Sequence, residues 1–391
     1  MKETENLNTL PHDHIISIGN ICNSNCLYCA AKNKNETKNQ IDEDTSYRII
    51  DFILSKSPQY IYLELTGGEP FLITEKLEKM LNYFEKKTKE KKIKKHISIV
   101  SNLTKLTDDD IKLILKYRIT ICTSLDGPKE LHNLQRDGIK DAYSKLSSSI
   151  KKIQYYASKG IIEQPNLITT ITKFSLSFYR EIINEYLKHN ITRVQLGMIE
   201  PIGKANEIWD RIGITSEEYI EFYEKAFDEI IRINHDREIP IYEKGFFLLL
   251  KTMKLKKYHP KRSIPILNRL SYDHNGNIYP DDESRMLCED GKKDFKLADV
   301  SMSVKRFLNS ENVKEILKYS TTNKYDQNCK MCAYSNYCHI PIWHRYLYSD
   351  ISSPSKTPKC KIFKFIFDLI NQSQKDRLLS KIMKRWLEIY E

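Results

Sequence analysis

The chain has 391 residues, 40% of them hydrophobic, with 63 Lys and Arg against 52 Asp and Glu and a net charge of +11. That length and apolar content support a sizeable core, either as two domains or as one large barrel with an extension. No apolar run approaches the roughly 18 residues of a membrane helix, and the polar stretch Met1 to Pro11 lacks the apolar segment of a secretory signal. Nine cysteines are an odd number, and six fall in two tight clusters. This pattern points to metal binding in a reducing, cytoplasmic compartment and away from a disulfide framework. The basic runs Lys86–Lys95 and Lys251–Lys257 contain no aromatic residues. They read as solvated faces, or as attraction to an acidic partner, and not as a nucleic-acid groove.

Taken in chain order, residues 14–19 predict a short strand and 43–56 a helix, followed by a strand over 60–65. Helix 74–88, strand 97–101, helix 108–117, strand 119–125, helix 141–159 and strand 166–171 come next. Helix 177–189, strand 192–197 and a long helix over 215–233 complete the alternation, which implies a parallel sheet, open or closed into a barrel. After about residue 260 the alternation weakens and turn signals such as Asn275-Gly276-Asn277 appear. A tail over 361–390 is again helical. Its stripe of Ile362, Phe365, Ile366 and Leu369, continued by Leu378, Ile382 and Trp386, reads as packing.

Between the first strand and the first helix lie Cys22, Cys26 and Cys29, with Tyr28 just before the third. Three close thiolates can hold three irons of a cubic [4Fe–4S] cluster, leaving the fourth iron open to a small molecule. A zinc loop is the alternative, but zinc normally takes four ligands, and no His or Cys follows at short range. In parallel α/β folds ligands sit at the C-terminal ends of the strands. The cysteine loop and the turn Gly67-Gly68-Glu69-Pro70 both fall on that edge. So do Ser101-Asn102, Ser124-Leu125-Asp126 and Gln195-Leu196. Glycines let a backbone approach a ligand closely, and Asp126 before Gly127-Pro128 also suits a simple turn. Cys122, in an apolar strand, reads as a buried structural thiol.

The C-x3-C-x2-C spacing followed by Gly-Gly-Glu-Pro resembles the radical SAM superfamily, and the stretch from Thr123 to Arg136 is similar to its peptide- and protein-modifying members. The resemblance implies a partial (β/α)6 TIM-like barrel in which S-adenosylmethionine (SAM) binds the open iron and yields a 5′-deoxyadenosyl radical. It implies Cys22, Cys26 and Cys29 as cluster ligands. It further implies cofactor contacts from Tyr28 beside the adenine, Gly67, Gly68 and Glu69 at the SAM amino group, and Asn102, Ser124 and Asp126 near its carboxylate and ribose. Gln195 and Leu196 would line the adenine pocket. Arg136 would pair with a carboxylate or lie on the surface.

A second set, Cys329, Cys332 and Cys338 with Cys360 further on, resembles the SPASM extension, which carries auxiliary [4Fe–4S] clusters. The four fit one complete auxiliary cluster, with tetrahedral zinc as the alternative. The ligands of a second auxiliary cluster are missing. Ile342 and Asp281 stand where thiols would be, and Cys288 has no evident co-ligands. The segments Leu270–Leu287 and Phe295–Val300 are similar to the His-Xaa-Ser system and cyclophane-forming maturases. That likeness makes Asp282 a candidate acid or base, against a merely solvated acidic turn.

The expected organisation is a tail at 1–13, the barrel at 14–240, a bridging region at 241–264, a SPASM-like auxiliary-cluster domain at 265–362 and C-terminal helices at 363–391. The expected function is modification of a ribosomally made precursor peptide, with electrons from a flavodoxin or ferredoxin and no nucleic acid or membrane partner. Cross-linking is the leading chemistry, ahead of epimerisation and sulfatase-type side-chain oxidation. A non-catalytic iron–sulfur carrier or redox sensor is the alternative from another class.

Overall fold

The computed structural model describes residues 9–31, 39–56, 59–235, 237–254, 268–292, 294–320 and 326–390. Residues 1–8 of the expected tail, 255–264 of the bridging region and the end of the second basic run lie outside the described residues.

Five strands, β1 (Asp13–Ser17), β2 (Tyr60–Thr66), β3 (Lys94–Val100), β4 (Thr120–Ser124) and β5 (Asn166–Ile171), lie side by side and parallel. Period-two patterning sets their faces. In β2, Ile61, Leu63 and Leu65 are fully buried, whereas Tyr62 and Glu64 are half-buried on the opposite side. The register carries this through the sheet. Glu64 stands beside Ser98, Val100 beside Cys122, and Ser124 beside Ile168. These residues make a polar inner face, while the apolar outer face packs under helices such as Asp108–Tyr117. That helix forms over its predicted range because Thr107 and Asp110 close a capping box at its start. Cys122 is half-buried on the polar inner face and is not the core thiol its apolar neighbours suggested.

The sixth strand differs from expectation. It breaks into β6 (Arg193–Val194) and β7 (Leu196–Met198). β7 continues the parallel sheet beside β5, while β6 pairs with β8 (Tyr242–Glu243). The break falls at Gln195, whose N–H donates to the buried Tyr186 hydroxyl and whose carbonyl accepts from it. Tyr186 thus bonds the backbone at the break, where the Gln195 carbonyl also accepts a ladder bond from Thr169 N–H of β5 at 3.0 Å.

The segment expected as a separate extension adds three strands to the other edge of the same sheet. β9 (Arg269–Tyr272) pairs parallel with β1, and β10 (Asn277–Tyr279) and β11 (Ala298–Asp299) follow antiparallel. The sheet order is β11-β10-β9-β1-β2-β3-β4-β5-β7. The tail forms helices Pro358–Ser373 and Arg377–Tyr390. Trp386 is fully buried edge-on against Phe227 and Phe246, so the stripe packs as expected, except for the exposed Leu378. Among the described residues no helix is long and apolar enough to cross a membrane.

Candidate active site

The cysteine loop leaves β1 and is pinned by backbone bonds from three directions. Asn25 N–H donates to the Asp137 carbonyl (2.7 Å), Leu27 N–H to Gln135 (2.9 Å), and Lys204 N–H to Cys29 (3.0 Å). Cys26 is buried; Cys22 and Cys29 are half-buried. The Ser24 N–H and the Asn102 side-chain amide approach the Cys22 sulfur at 3.4 and 3.8 Å, and Ser24 Oγ lies 3.2 Å from Cys26 Sγ. Hydrogen bonds to sulfur favour the thiolate and tune the potential of any cluster held there.

The Gly67-Gly68 turn docks against this loop. Gly68 N–H donates to the Gly19 carbonyl and Glu69 N–H to the Ile21 carbonyl, both at 2.7 Å. A Cβ on Gly68 would lie 2.0 Å from the Ile21 carbonyl oxygen, and one on Gly67 would lie 2.5 Å from that of Gly19. Sequence reasoning attributed these glycines to close approach of a ligand; the close approach visible here is that of the cysteine loop itself. Glu69 is likewise committed to protein. Its buried carboxylate accepts from Ser101 Oγ (2.7 Å), Asn102 N–H (2.7 Å) and Phe71 N–H (3.1 Å). Burial pushes its pKa up to about 7 against the lowering effect of those bonds. The carboxylate braces the turn against the end of β3.

Asp126 and Arg136 turn away from the role sequence suggested. Asp126 is fully buried, Arg136 is 7% exposed, and Arg136 Nε donates to Asp126 at 2.9 Å. The Tyr28 hydroxyl donates to the same carboxylate at 2.6 Å. Both charged groups are therefore satisfied internally, and neither is free to meet a ligand carboxylate. Together they hold the Tyr28 ring, which lines a cavity of about 470 Å³ with Gln195, Leu196 and Thr170. Ser124 ends β4 on the inner face, and Asn102 stands beside Cys22.

Trp343, Lys359 and Phe363 line the same cavity. A second cavity, of about 830 Å³, adjoins it near the N-terminal ends of β1, β2 and β9, and Glu283, Trp343 and Lys359 line both. Phe363 also lines a small cavity of about 20 Å³ bordered by all four of Cys329, Cys332, Cys338 and Cys360. Burial pushes Cys338 up to about 12, and Cys360, Cys329 and Cys332 act on it in the same direction. Cys288 stands elsewhere, with its sulfur accepting from Phe295 N–H at 2.9 Å. Ile342 is buried with Leu287 and Phe295, and Asp281 caps helix Asp282–Glu289 through Ser284 N–H at 2.8 Å. Among the described residues no three His, Cys, Asp or Glu side chains gather as a single metal ion requires.

Asp282 is spoken for. It accepts from Arg285 Nε at 2.8 Å and from Ser271 Oγ at 2.9 Å, and Arg285 helps hold its pKa below the usual carboxylate value despite burial. That makes it a poor proton acceptor. Glu283 has no ion pair and no bond to another side chain among the described residues, and it faces both large cavities. Burial and then Asp282 hold its pKa above the usual value. The family likeness made Asp282 the candidate among Asp281, Asp282 and Glu283, and the structure gives Asp282 an ion pair with Arg285. Two local rules separate them: Asp is a preferred N-cap, and an acid three residues before an Arg in a helix pairs with it. These rules commit Asp281 and Asp282 and leave Glu283.

Residues 16–172 match the model of the radical SAM superfamily. A cysteine-type anaerobic sulfatase-maturating enzyme of Clostridium perfringens is 21% identical over 334 residues, 81% of this chain and 84% of that protein. The structure of native anSMEcpe with bound AdoMet aligns with a TM-score of 0.76 at 19% identity, covering 95% of this chain and 99% of that one. SuiB of Streptococcus suis, bound to its precursor peptide SuiA, aligns at 0.62 and 16% identity, covering 90% and 76%. At these identities the structural likenesses carry the fold. Residues 16–172 carry the match to the radical SAM model, whose chemistry implies a [4Fe–4S] cluster and SAM; the protein is a radical SAM enzyme, similar in sequence to a sulfatase-maturating enzyme.

Proposed function

We propose that the protein matures a ribosomally made peptide, closing a cross-link within it. The observation that carries this reading is the large cavity, which is lined both by Tyr28 and Ala30 of the cysteine loop and by Phe363, a residue that also lines the four-thiol cavity. A peptide segment lying there would be next to residues of both thiol sets. The likeness of the fold to SuiB, whose structure holds a precursor peptide, supports a peptide partner. The similarity of 270–300 to His-Xaa-Ser and cyclophane-forming maturases supports a cross-link.

Cys22, Cys26 and Cys29 fit the cluster, since their loop is pinned by backbone and two of their sulfurs have nearby donors. When bound, the cluster and SAM supply the 5′-deoxyadenosyl radical that removes a hydrogen atom from the peptide. Gly67 and Gly68 hold the cysteine loop in place, Asn102 stands beside Cys22, Ser124 ends β4 on the inner face, and Tyr28, Gln195 and Leu196 line the cavity that would take the cofactor. Cys329, Cys332, Cys338 and Cys360 border one small cavity; an auxiliary cluster there would spread their thiolates over separate irons, unlike a single zinc. Forming one carbon–carbon bond from two C–H bonds releases a second hydrogen as a proton and an electron. Glu283 would take the proton, and Cys329, Cys332, Cys338 and Cys360 would hold the cluster that, when bound, would supply the acceptor for the electron. A flavodoxin or ferredoxin is the expected reductant, and the chain's net charge of +11 suits such acidic carriers.

Side-chain oxidation of the sulfatase type is the second reading, favoured by the near full-length likeness to a sulfatase-maturating enzyme. Incubation of the reconstituted enzyme with peptides encoded beside its gene, followed by tandem mass spectrometry, tests both. Loss of two hydrogens with a fragment-resistant ring supports the cross-link. An oxidised single side chain supports the second reading, and an unchanged mass with an inverted residue supports epimerisation.

A further inference from the structure

The segment that follows Cys338 buries a whole cation. Arg345, in the helix Ile342–Tyr348, has none of its surface exposed. Its Nε donates to the Ile340 carbonyl at 2.8 Å, and one terminal nitrogen donates to the carbonyls of Tyr319 at 2.9 Å and Ile351 at 3.4 Å. Ile340 lies two residues after Cys338 and lines the small cavity that the four thiols border. The guanidinium is thus tied to the wall of the second thiol set. Burial pushes Cys338 up to about 12 and Cys329 up to about 11, and Arg345 pulls against both. Two further charges act at this set. Burial raises Cys360, Lys364 opposes that rise, and Asp326 adds to it. Lys364 is exposed and Asp326 is half-buried.

Water and salt screen an exposed charge, whereas a buried one acts through a poorly polarisable medium. A guanidinium stays charged at any working pH. The carbonyls that accept from Arg345 are neutral and hold its charge in place. A fixed positive charge favours thiolate over thiol, and by the same sign it favours the more negative of two redox states of whatever the thiolates hold. We propose that Arg345 is the buried charge that raises the reduction potential of the auxiliary cluster, making the four-thiol site an acceptor for the electron left when the peptide bridge closes. This rests on the peptide-maturation reading and adds to it the residue that sets where the electron goes. The step is a single electron: the group held by the thiolates gains one negative charge, and Arg345 exchanges no proton. The same hydrogen bonds would also suit a simple brace, and the experiment separates charge from brace.

The parent is the full-length protein with Cys22, Cys26 and Cys29 changed to Ala, reconstituted with iron and sulfide, so that only the second thiol set gives a signal. Iron is counted. The protein is then titrated with dithionite and redox mediators at pH 6.5, about four units below the ordinary lysine value, while electron paramagnetic resonance follows the reduced form. R345Q keeps a hydrogen-bond donor and loses the charge; R345K keeps the charge and loses the planar fork. R345Q should move the one-electron reduction equilibrium at least roughly tenfold toward the oxidised form, a fall of about 59 mV or more. R345K should stay within about threefold of the parent, as should K364Q, which removes an exposed charge. An unshifted potential in R345Q, or an equal fall in R345K or K364Q, would overturn the proposal. Loss of iron from both Arg345 variants would make the residue a brace and overturn it too. A parent without iron would overturn the cluster assignment itself, a result distinct from iron that is present with a potential indifferent to Arg345. No peptide enters the titration, so failure here is also distinct from failure to find a matured peptide.

Discussion

Gly68→Ala probes whether the glycine turn and the cysteine loop act as one unit. Gly68 has an ordinary backbone conformation, so the added methyl is the whole perturbation. It would sit 2.0 Å from the Ile21 carbonyl oxygen and 2.4 Å from its carbon. Both are backbone atoms, which cannot swing aside. Opening that contact to the 3.4 Å of ordinary packing parts turn and loop by about 1.4 Å. The hydrogen bonds from Gly68 N–H and Glu69 N–H, each 2.7 Å, then stretch beyond useful range. At about 0.5–1.5 kcal/mol apiece, their loss costs about 1–3 kcal/mol, or roughly 5- to 150-fold in the equilibrium that docks the loop. Anaerobic reconstitution, iron counting and equilibrium binding of SAM read the effect. The variant should keep the iron of the four-thiol site, lose or loosely hold that of the loop, and bind SAM about 5- to 150-fold more weakly. A variant that matched wild type in iron and SAM affinity would refute the docking argument.

Three further outcomes are expected. Arg136→Met strands the fully buried Asp126 carboxylate and should destabilise the apoprotein by about 3–5 kcal/mol in urea unfolding, with much of this regained when Asp126→Leu is added. Glu283→Gln should abolish peptide product while SAM cleavage continues. Because the Glu283 pKa is raised, its base form is lost as pH falls through a value above the ordinary carboxylate range of about 4.3, and product formation should fall there too. A profile flat to below that range would return the role to Asp282, whose pKa is lowered. Replacing Cys329, Cys332, Cys338 and Cys360 with Ala should remove about four irons and stop product formation without stopping 5′-deoxyadenosine release; loss of zinc instead of iron would contradict the cluster assignment.

The fold was legible where local signals agreed. Strand 166–171 and helix 108–117 form over their predicted spans, because a strict apolar period and a capping box specify them without outside help. The sixth strand was not, since its first part pairs with Tyr242–Glu243, far along the chain, and two residues carry no local signal of that partner. The pairing of Arg269–Tyr272 with β1 was also hidden: a four-residue parallel strand has no local partner to announce it. At the site, the two cysteine sets were plain from spacing, because their chemistry demands neighbours in sequence. The uses of Glu69, Asp126 and Arg136 were not. A buried carboxylate and a cofactor-binding one look alike until their hydrogen-bond partners are known, and those partners lie 32 residues away for Glu69 with Ser101 and 98 for Asp126 with Tyr28.

The most direct test of the central claim is 5′-deoxyadenosine released from SAM by the anaerobically reconstituted, dithionite-reduced protein, beside a variant with Cys22, Cys26 and Cys29 all changed to Ala. The account predicts release by the wild type and none by the variant, which should still hold about four irons at its second thiol set. Clusters present in the wild type with no SAM cleavage, even with peptide added, would contradict radical catalysis and favour an iron–sulfur electron carrier.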